Sequence, residues 1–112
     1  MNSNNAYLSY YNLALLDSST TLEYLKKCVS INTTFSDGWL GLAKFELDKQ
    51  NFKNAGNYLK IVKSIDENNF KYYYYLGLLC EKQGQKEEAL VNYQKALLIN
   101  PDFSPAKEAL NI

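Results

Sequence analysis

A chain that repeats itself at a fixed period of a few tens of residues cannot fold as an ordinary globule. Each unit must bury its apolar face on the next, which commits the molecule to a stack. The stretch from Phe70 to Phe103, FKYYYYLGLLCEKQGQKEEALVNYQKALLINPDF, is the clearest such unit. Moved back by its own length, it sets Trp39, Leu42, Ala43, Ala55, Leu59 and Val62 under Tyr73, Leu76, Gly77, Ala89, Tyr93 and Ala96 without a gap. A second shift reaches Asn5, Leu8, Ser9, Thr21, Leu25 and Cys28. The columns Ile31, Ile65, Ile99 and Phe35, Asn69, Phe103 keep the same spacing, so three units tile residues 2–35, 36–69 and 70–103.

The columns have a direct physical meaning. Ser9, Ala43 and Gly77 are small because two helices of one hairpin must approach closely there, and a bulky side chain would push the axes apart. Thr21, Ala55 and Ala89 face them from the second helix. Leu8, Leu42 and Leu76, with Leu25, Leu59 and Tyr93, supply the apolar fill, and a fully buried Leu is worth about 1.5–3 kcal/mol. The predicted helices run over 5–16, from the Thr20–Thr21 start, over 36–50, from Phe52 to about 65, up to Gln83, and over 86–99. Ser36 and Ser104 are the expected N-caps of the third and last helices, the latter followed by Pro105 at the first helical position. Gly84 is the expected positive-φ residue of the third hairpin's turn. Pro101 stops the sixth helix. A short seventh helix, 105–111, follows; it reads either as a cap over the third unit or as the start of a fourth.

Tyr73, Leu76, Gly77, Ala89, Tyr93, Ala96 and Pro101 resemble the tetratricopeptide pattern of an aromatic, Leu-Gly, then Ala, an aromatic, Ala and Pro. The first unit departs from it, with Asn5 for the aromatic, Leu16 for the turn glycine and Thr33 for the closing proline. The resemblance implies an all-α fold, a right-handed solenoid of antiparallel helix hairpins with about seven helices in one domain spanning 1–112. It also implies a job: the first helices of successive hairpins in such domains line a concave groove that accepts a peptide or a partner helix. Carried onto this register, the peptide-binding groove takes Tyr7, Tyr10, Leu40, Lys44, Lys71, Tyr74, Tyr75 and Leu78. Of the four consecutive tyrosines from Tyr72, the first two are expected to face neighbouring helices. The carboxylate clamp by which some relatives grip chaperone tails finds only Lys71, since its other positions fall at Ala6, Tyr10, Gly41 and Tyr75. Chaperone-tail binding through that clamp is therefore not expected.

What remains is a groove for an apolar or amphipathic segment, with tyrosines as rigid anchors and Lys44 and Lys71 available to an acidic group. With 12 basic and 12 acidic residues, no footprint for a phosphate backbone is evident. No nucleic acid or membrane partner, cofactor or metal is expected. The chain has no His, no Gly-rich phosphate loop and no nucleophile elbow, so catalysis is not expected. Two cysteines, Cys28 and Cys80, lack metal-ligand spacing and read as core thiols, the second half-buried. The first residues carry no charged stretch leading into an apolar one, and a cytoplasmic protein is the expectation. Two other roles fit the same residues: self-assembly into a homo-oligomer through the groove or the terminal repeats, and docking of a larger protein.

Overall fold

The computed structural model describes residues 5–16 and 19–112. Among these, every regular element is helical: α1 Ala6–Leu16, α2 Thr21–Ile31, α3 Ser36–Asp48, α4 Phe52–Ile65, α5 Phe70–Lys82, α6 Lys86–Ile99 and α7 Ser104–Leu110. No described helix is long and apolar enough to cross a membrane. Hairpins α1/α2, α3/α4 and α5/α6 stack in sequence order, and α7 lies on α6, giving a body of 47 × 27 × 24 Å.

The hairpin turns of the second and third units are built alike. Gly84 holds φ +82° and Gln50, one period earlier, holds φ +63°. Each reverses the chain so that the next residue's N–H reaches back into the first helix: Gln85 N–H donates to the Cys80 carbonyl and Asn51 N–H to the Glu46 carbonyl, both at 2.8 Å. The left-handed region costs a side-chain-bearing residue 1–2 kcal/mol, roughly, which glycine avoids. At the helix starts, Phe35, Asn69 and Phe103 occupy one column of N-cap positions, so Ser36 and Ser104 are first helical residues rather than caps. Asn69 alone of the three has a side chain suited to the position. Its Oδ1 accepts from the N–H groups of Lys71 at 2.9 Å and Tyr72 at 3.3 Å.

The core follows the columns in the second and third units. Ala43, Ala55, Leu59 and Val62 are buried in one layer, and Gly77, Ala89, Tyr93 and Ala96 in the next. The small column is enforced by contact: a Cβ on Gly77 would stand 2.6 Å from the Tyr93 ring. Between hairpins, Gly38 and Gly41 of α3 let α2 come close, and Cβ atoms there would meet Val29 at 2.8 Å and Leu25 at 3.0 Å. Cys28 is fully buried, and Cys80 is buried too rather than half-buried; burial pushes both thiols up.

The first hairpin departs from the gap-free register. Ser9 and Leu8, expected in the seam, are exposed, and the one buried residue of α1 is Ala14. Thr21, which should face the small column, donates its hydroxyl to the Ala14 carbonyl at 2.9 Å. Three aromatic contacts fix the same correction. Tyr10 pairs with Tyr24 as Trp39 pairs with Tyr58. Lys27 lies over Tyr10 as Lys95 lies over Tyr73. Tyr7 and Tyr11 pack on Phe35 as Phe70 and Tyr74 pack on Phe103. Tyr10, Leu13 and Ala14 therefore stand where Tyr73, Leu76 and Gly77 stand, and α1 is displaced by five residues (77 − 68 = 9 expected, 14 observed). The physical reason is the short connection: the hairpin reaches from Ala14 to Thr21 in seven residues where the third unit uses twelve from Gly77 to Ala89. To keep a small residue opposite α2, α1 slides along its axis.

Candidate functional site: a concave groove

Antiparallel hairpins stacked in one sense put the first helix of each, α1, α3 and α5, along one side of the molecule. Residues on their outward stripe, spaced i, i+3, i+4, i+7, become a continuous wall. The result is a groove of about 840 Å³. Tyr11, Ala14 and Leu15 line it from α1, Asp37, Leu40, Gly41, Lys44, Phe45 and Asp48 from α3, and Lys71, Tyr74, Tyr75 and Leu78 from α5. Phe103 and Pro105 close one end.

Six of the eight residues read from the sequence, Leu40, Lys44, Lys71, Tyr74, Tyr75 and Leu78, lie in this lining. Tyr7 and Tyr10 do not. Tyr7 packs edge-on against Phe35 with centroids 4.9 Å apart, and Tyr10 stacks on Tyr24 at 6.1 Å. The five-residue slide of α1 puts Leu15 in the place of Tyr10 and sets Tyr11, in the column of Tyr74, into the lining. The signal that finds them was present: Tyr10, Leu13 and Ala14 repeat the aromatic, Leu, small spacing of Trp39, Leu42 and Ala43. Phe103 was missed because it lies off the first helices, at the end of its unit in the connection to α7, and only the stacking of its ring on Phe70 and Tyr74 brings it to the groove's end.

The tyrosine run divides as helix geometry requires. Tyr72 is buried and Tyr73 packs edge-on against it, whereas Tyr74 and Tyr75 face the groove. Burial, then Tyr74, Tyr11, Asp37 and Asp48, pushes the Tyr75 phenol up to about 12. Burial also raises Tyr74, helped by Glu108 and Glu81 against the lowering influence of Lys44, and raises Tyr11, helped by Asp37. All three phenols stay protonated far above neutral pH and present O–H donors over apolar rings.

The charges at the rim are matched within the chain. Lys71 Nζ lies 3.3 Å from Asp37 Oδ1, tying α5 to α3, and Lys44 Nζ lies 3.0 Å from Asp48 Oδ2 one turn along α3. Both pairs are solvent-exposed, so each is worth well under about 1 kcal/mol and can be exchanged for a ligand's charge at little cost.

A stack of helix hairpins with an aromatic concave groove is the architecture of a helical-repeat interaction domain. The tetratricopeptide repeat family matches residues 70–103, and the chain carries a tetratricopeptide-repeat domain. It is 33% identical over 70 residues to human tetratricopeptide repeat protein 7A, an alignment covering 62% of this chain but 8% of that protein's length. Among solved structures it is similar to the Arabidopsis OM64 TPR domain, with TM-score 0.80 and 20% identity over 97% of this chain and 92% of that one. It is also similar to YrrB, described as a TPR protein with an unusual peptide-binding site, with TM-score 0.76, 20% identity and coverage of 100% and 59%. MamA aligns with TM-score 0.66 and 26% identity over 80% and 52%. At 20% identity the first two likenesses speak for the fold alone.

Proposed function

We propose that this domain, spanning 1–112, is a non-catalytic adaptor that holds an apolar or amphipathic protein segment in the groove between α1, α3 and α5. One observation carries the reading: Leu15, Leu40, Leu78, Tyr11, Tyr74, Tyr75 and Phe103, from four separate parts of the chain, converge on one concave surface that the fold itself leaves unfilled. Apolar side chains offer anchoring pockets and the phenols donate to backbone carbonyls, while the rim pairs Lys71–Asp37 and Lys44–Asp48 accept charges of either sign. The chaperone-tail clamp has no place in this reading, because its positions are occupied by apolar or phenolic groups apart from Lys71. The length of the human relative fits a domain that docks inside a larger protein.

The test is selection of a random peptide library against the wild-type domain, followed by titration against Leu78→Lys and Tyr75→Ala variants checked for unchanged helicity. Peptides with two or more apolar anchors that bind the wild type and lose affinity about tenfold or more to either variant support the groove. Peptides that bind all three proteins equally place recognition elsewhere.

A further inference from the structure

Helix α6 breaks the pattern of its two counterparts. Its inward face carries Ala89, Tyr93 and Ala96, as the repeat demands, yet its outward face is apolar as well. Val91, Gln94 and Leu98 stand where α4 has Asn57, Lys60 and Ser64 and α2 has Glu23, Lys26 and Ser30, all six exposed. Leu98 and Ile112 are 82% and 79% exposed, and Leu90 and Val91 are 45% and 49% exposed. The α7 terminus adds to the stripe: Asn111 takes a left-handed φ of +60°, and Ile112 N–H returns to the Lys107 carbonyl at 3.0 Å. Ile112 is thereby held beside Leu97, Leu98, Leu110 and Gln94, around a cleft of about 550 Å³.

Neither the stacking of repeats nor the groove explains Val91 and Leu98, since their counterparts on α2 and α4, Glu23, Ser30, Asn57 and Ser64, are polar and face water. We propose that the outer face of α6, with Ile112, is a docking surface for a second copy of this chain, packed two-fold so that the two α6 helices run antiparallel through Gln94.

The residue types select this partner. On a two-fold axis a side chain meets its own copy. A lysine, as in Lys26 or Lys60, would repel itself, whereas the Gln94 amide, with donors and an acceptor, bonds to its symmetry mate. In an antiparallel pair centred on Gln94, Leu90 of one copy faces Leu98 of the other with Val91 alongside, and each Ile112 meets the cleft beside the partner's Leu97 and Leu98. Elsewhere the position of Leu98 is a serine whose hydroxyl bonds back to its own helix: Ser30 Oγ to the Lys27 carbonyl and Ser64 Oγ to the Ile61 carbonyl, both at 2.7 Å. The exposed apolar area of Leu90, Val91, Leu98 and Ile112 is on the order of 500 Å² per copy, in the upper part of the range of the largest patch on a monomer, a size that is often functional. Set against the ~800 Å² per partner of a standard interface, it fits a reversible dimer rather than an obligate one. The groove lies on the first helices of the hairpins, so dimerisation leaves it open.

The test is sedimentation equilibrium over a wide concentration range on the wild type, on a Val91→Asn/Gln94→Lys/Leu98→Ser variant that copies the residues of α4, and on Leu16→Lys at the opposite end. Expected is a reversible rise to twice the chain mass for the wild type and for Leu16→Lys. The triple variant stays monomeric with an unchanged unfolding midpoint, because all three positions are exposed and α4 carries the introduced residues at the same places in its own repeat. In parallel, Gln94→Cys crosslinks to itself under mild oxidation and Lys60→Cys does not, while the natural thiols are buried. The proposal is overturned by a wild type that remains monomeric throughout, by a dimer that survives the triple variant, by a dimer lost with Leu16→Lys, which would mean end-to-end stacking, or by a dimer in which the Gln94→Cys variant fails to crosslink.

Discussion

Gly84 and Gln50 perform the same turn with different residues, and the difference can be measured. Gly84 holds its φ of +82° with nothing within 4 Å of a would-be Cβ, so Gly84→Ala is opposed by backbone strain alone. A loss of about 1 kcal/mol in denaturant unfolding is expected. The converse change, Gln50→Gly, relieves a φ of +63° and should gain about 0.5 kcal/mol, the relief of strain being partly offset by the freer unfolded chain. The Tyr75 phenol supplies a second residue-scale prediction. Its folded value of about 12 lies above the ordinary 10, so the folded state holds the proton more tightly than the unfolded one. Its contribution is therefore fully present below pH ~10 and lost as pH rises towards ~12. The unfolding midpoint should fall across that window, and Tyr75→Phe should make the fall shallower while leaving the midpoint at neutral pH nearly unchanged.

Among elements, α1 is the one whose place the columns did not give. Phase along a helix is set by which residue fits opposite the partner, and Ala14 fits opposite Thr21 where Ser9 cannot reach. The two registers make opposite predictions. Ala14→Leu should cost about 1–3 kcal/mol by overpacking the α1/α2 seam, whereas Ser9→Leu should lie within ~0.5 kcal/mol of the wild type. Thermal unfolding of the two variants side by side decides it; a large loss for Ser9→Leu with none for Ala14→Leu would restore the gap-free alignment. The second and third hairpins were legible because their two helices and their turn each carry a signal at one period. In the first, the signal for α1 and the signal for α2 are both present but stand five residues out of step, and a rigid shift of the whole unit can honour only one of them.

The whole molecule is a stack whose middle is better buried than its beginning. α3 has a hairpin neighbour on each side and α5 has the α3/α4 hairpin on one side, while α1 stands at the end of the stack and buries Ala14 alone. In a solenoid, stability is a sum over units and their shared faces, so opening should start at the exposed end. Native-state hydrogen exchange should find the α1 amides on the order of tenfold or more faster than those of α5, with α6 protected where its inner face meets α5. Uniform protection across all hairpins would show a single cooperative unit instead.

The period, the helix pairs, the small column and the turn at Gly84 were determined by the sequence alone, because each depends on residues close in the chain or one constant step apart. The same holds for Leu40, Lys44, Lys71, Tyr74, Tyr75 and Leu78 in the groove, which follow from helical phase within a unit whose register is sound. Only the tertiary structure decided that Tyr11 and Leu15 line the groove where Tyr7 and Tyr10 do not, that Phe103 closes it, and that Cys80 is buried. These depend on how far one helix slides against another, and that distance is set by three-dimensional fit between side chains on separate elements, which a periodic pattern does not encode.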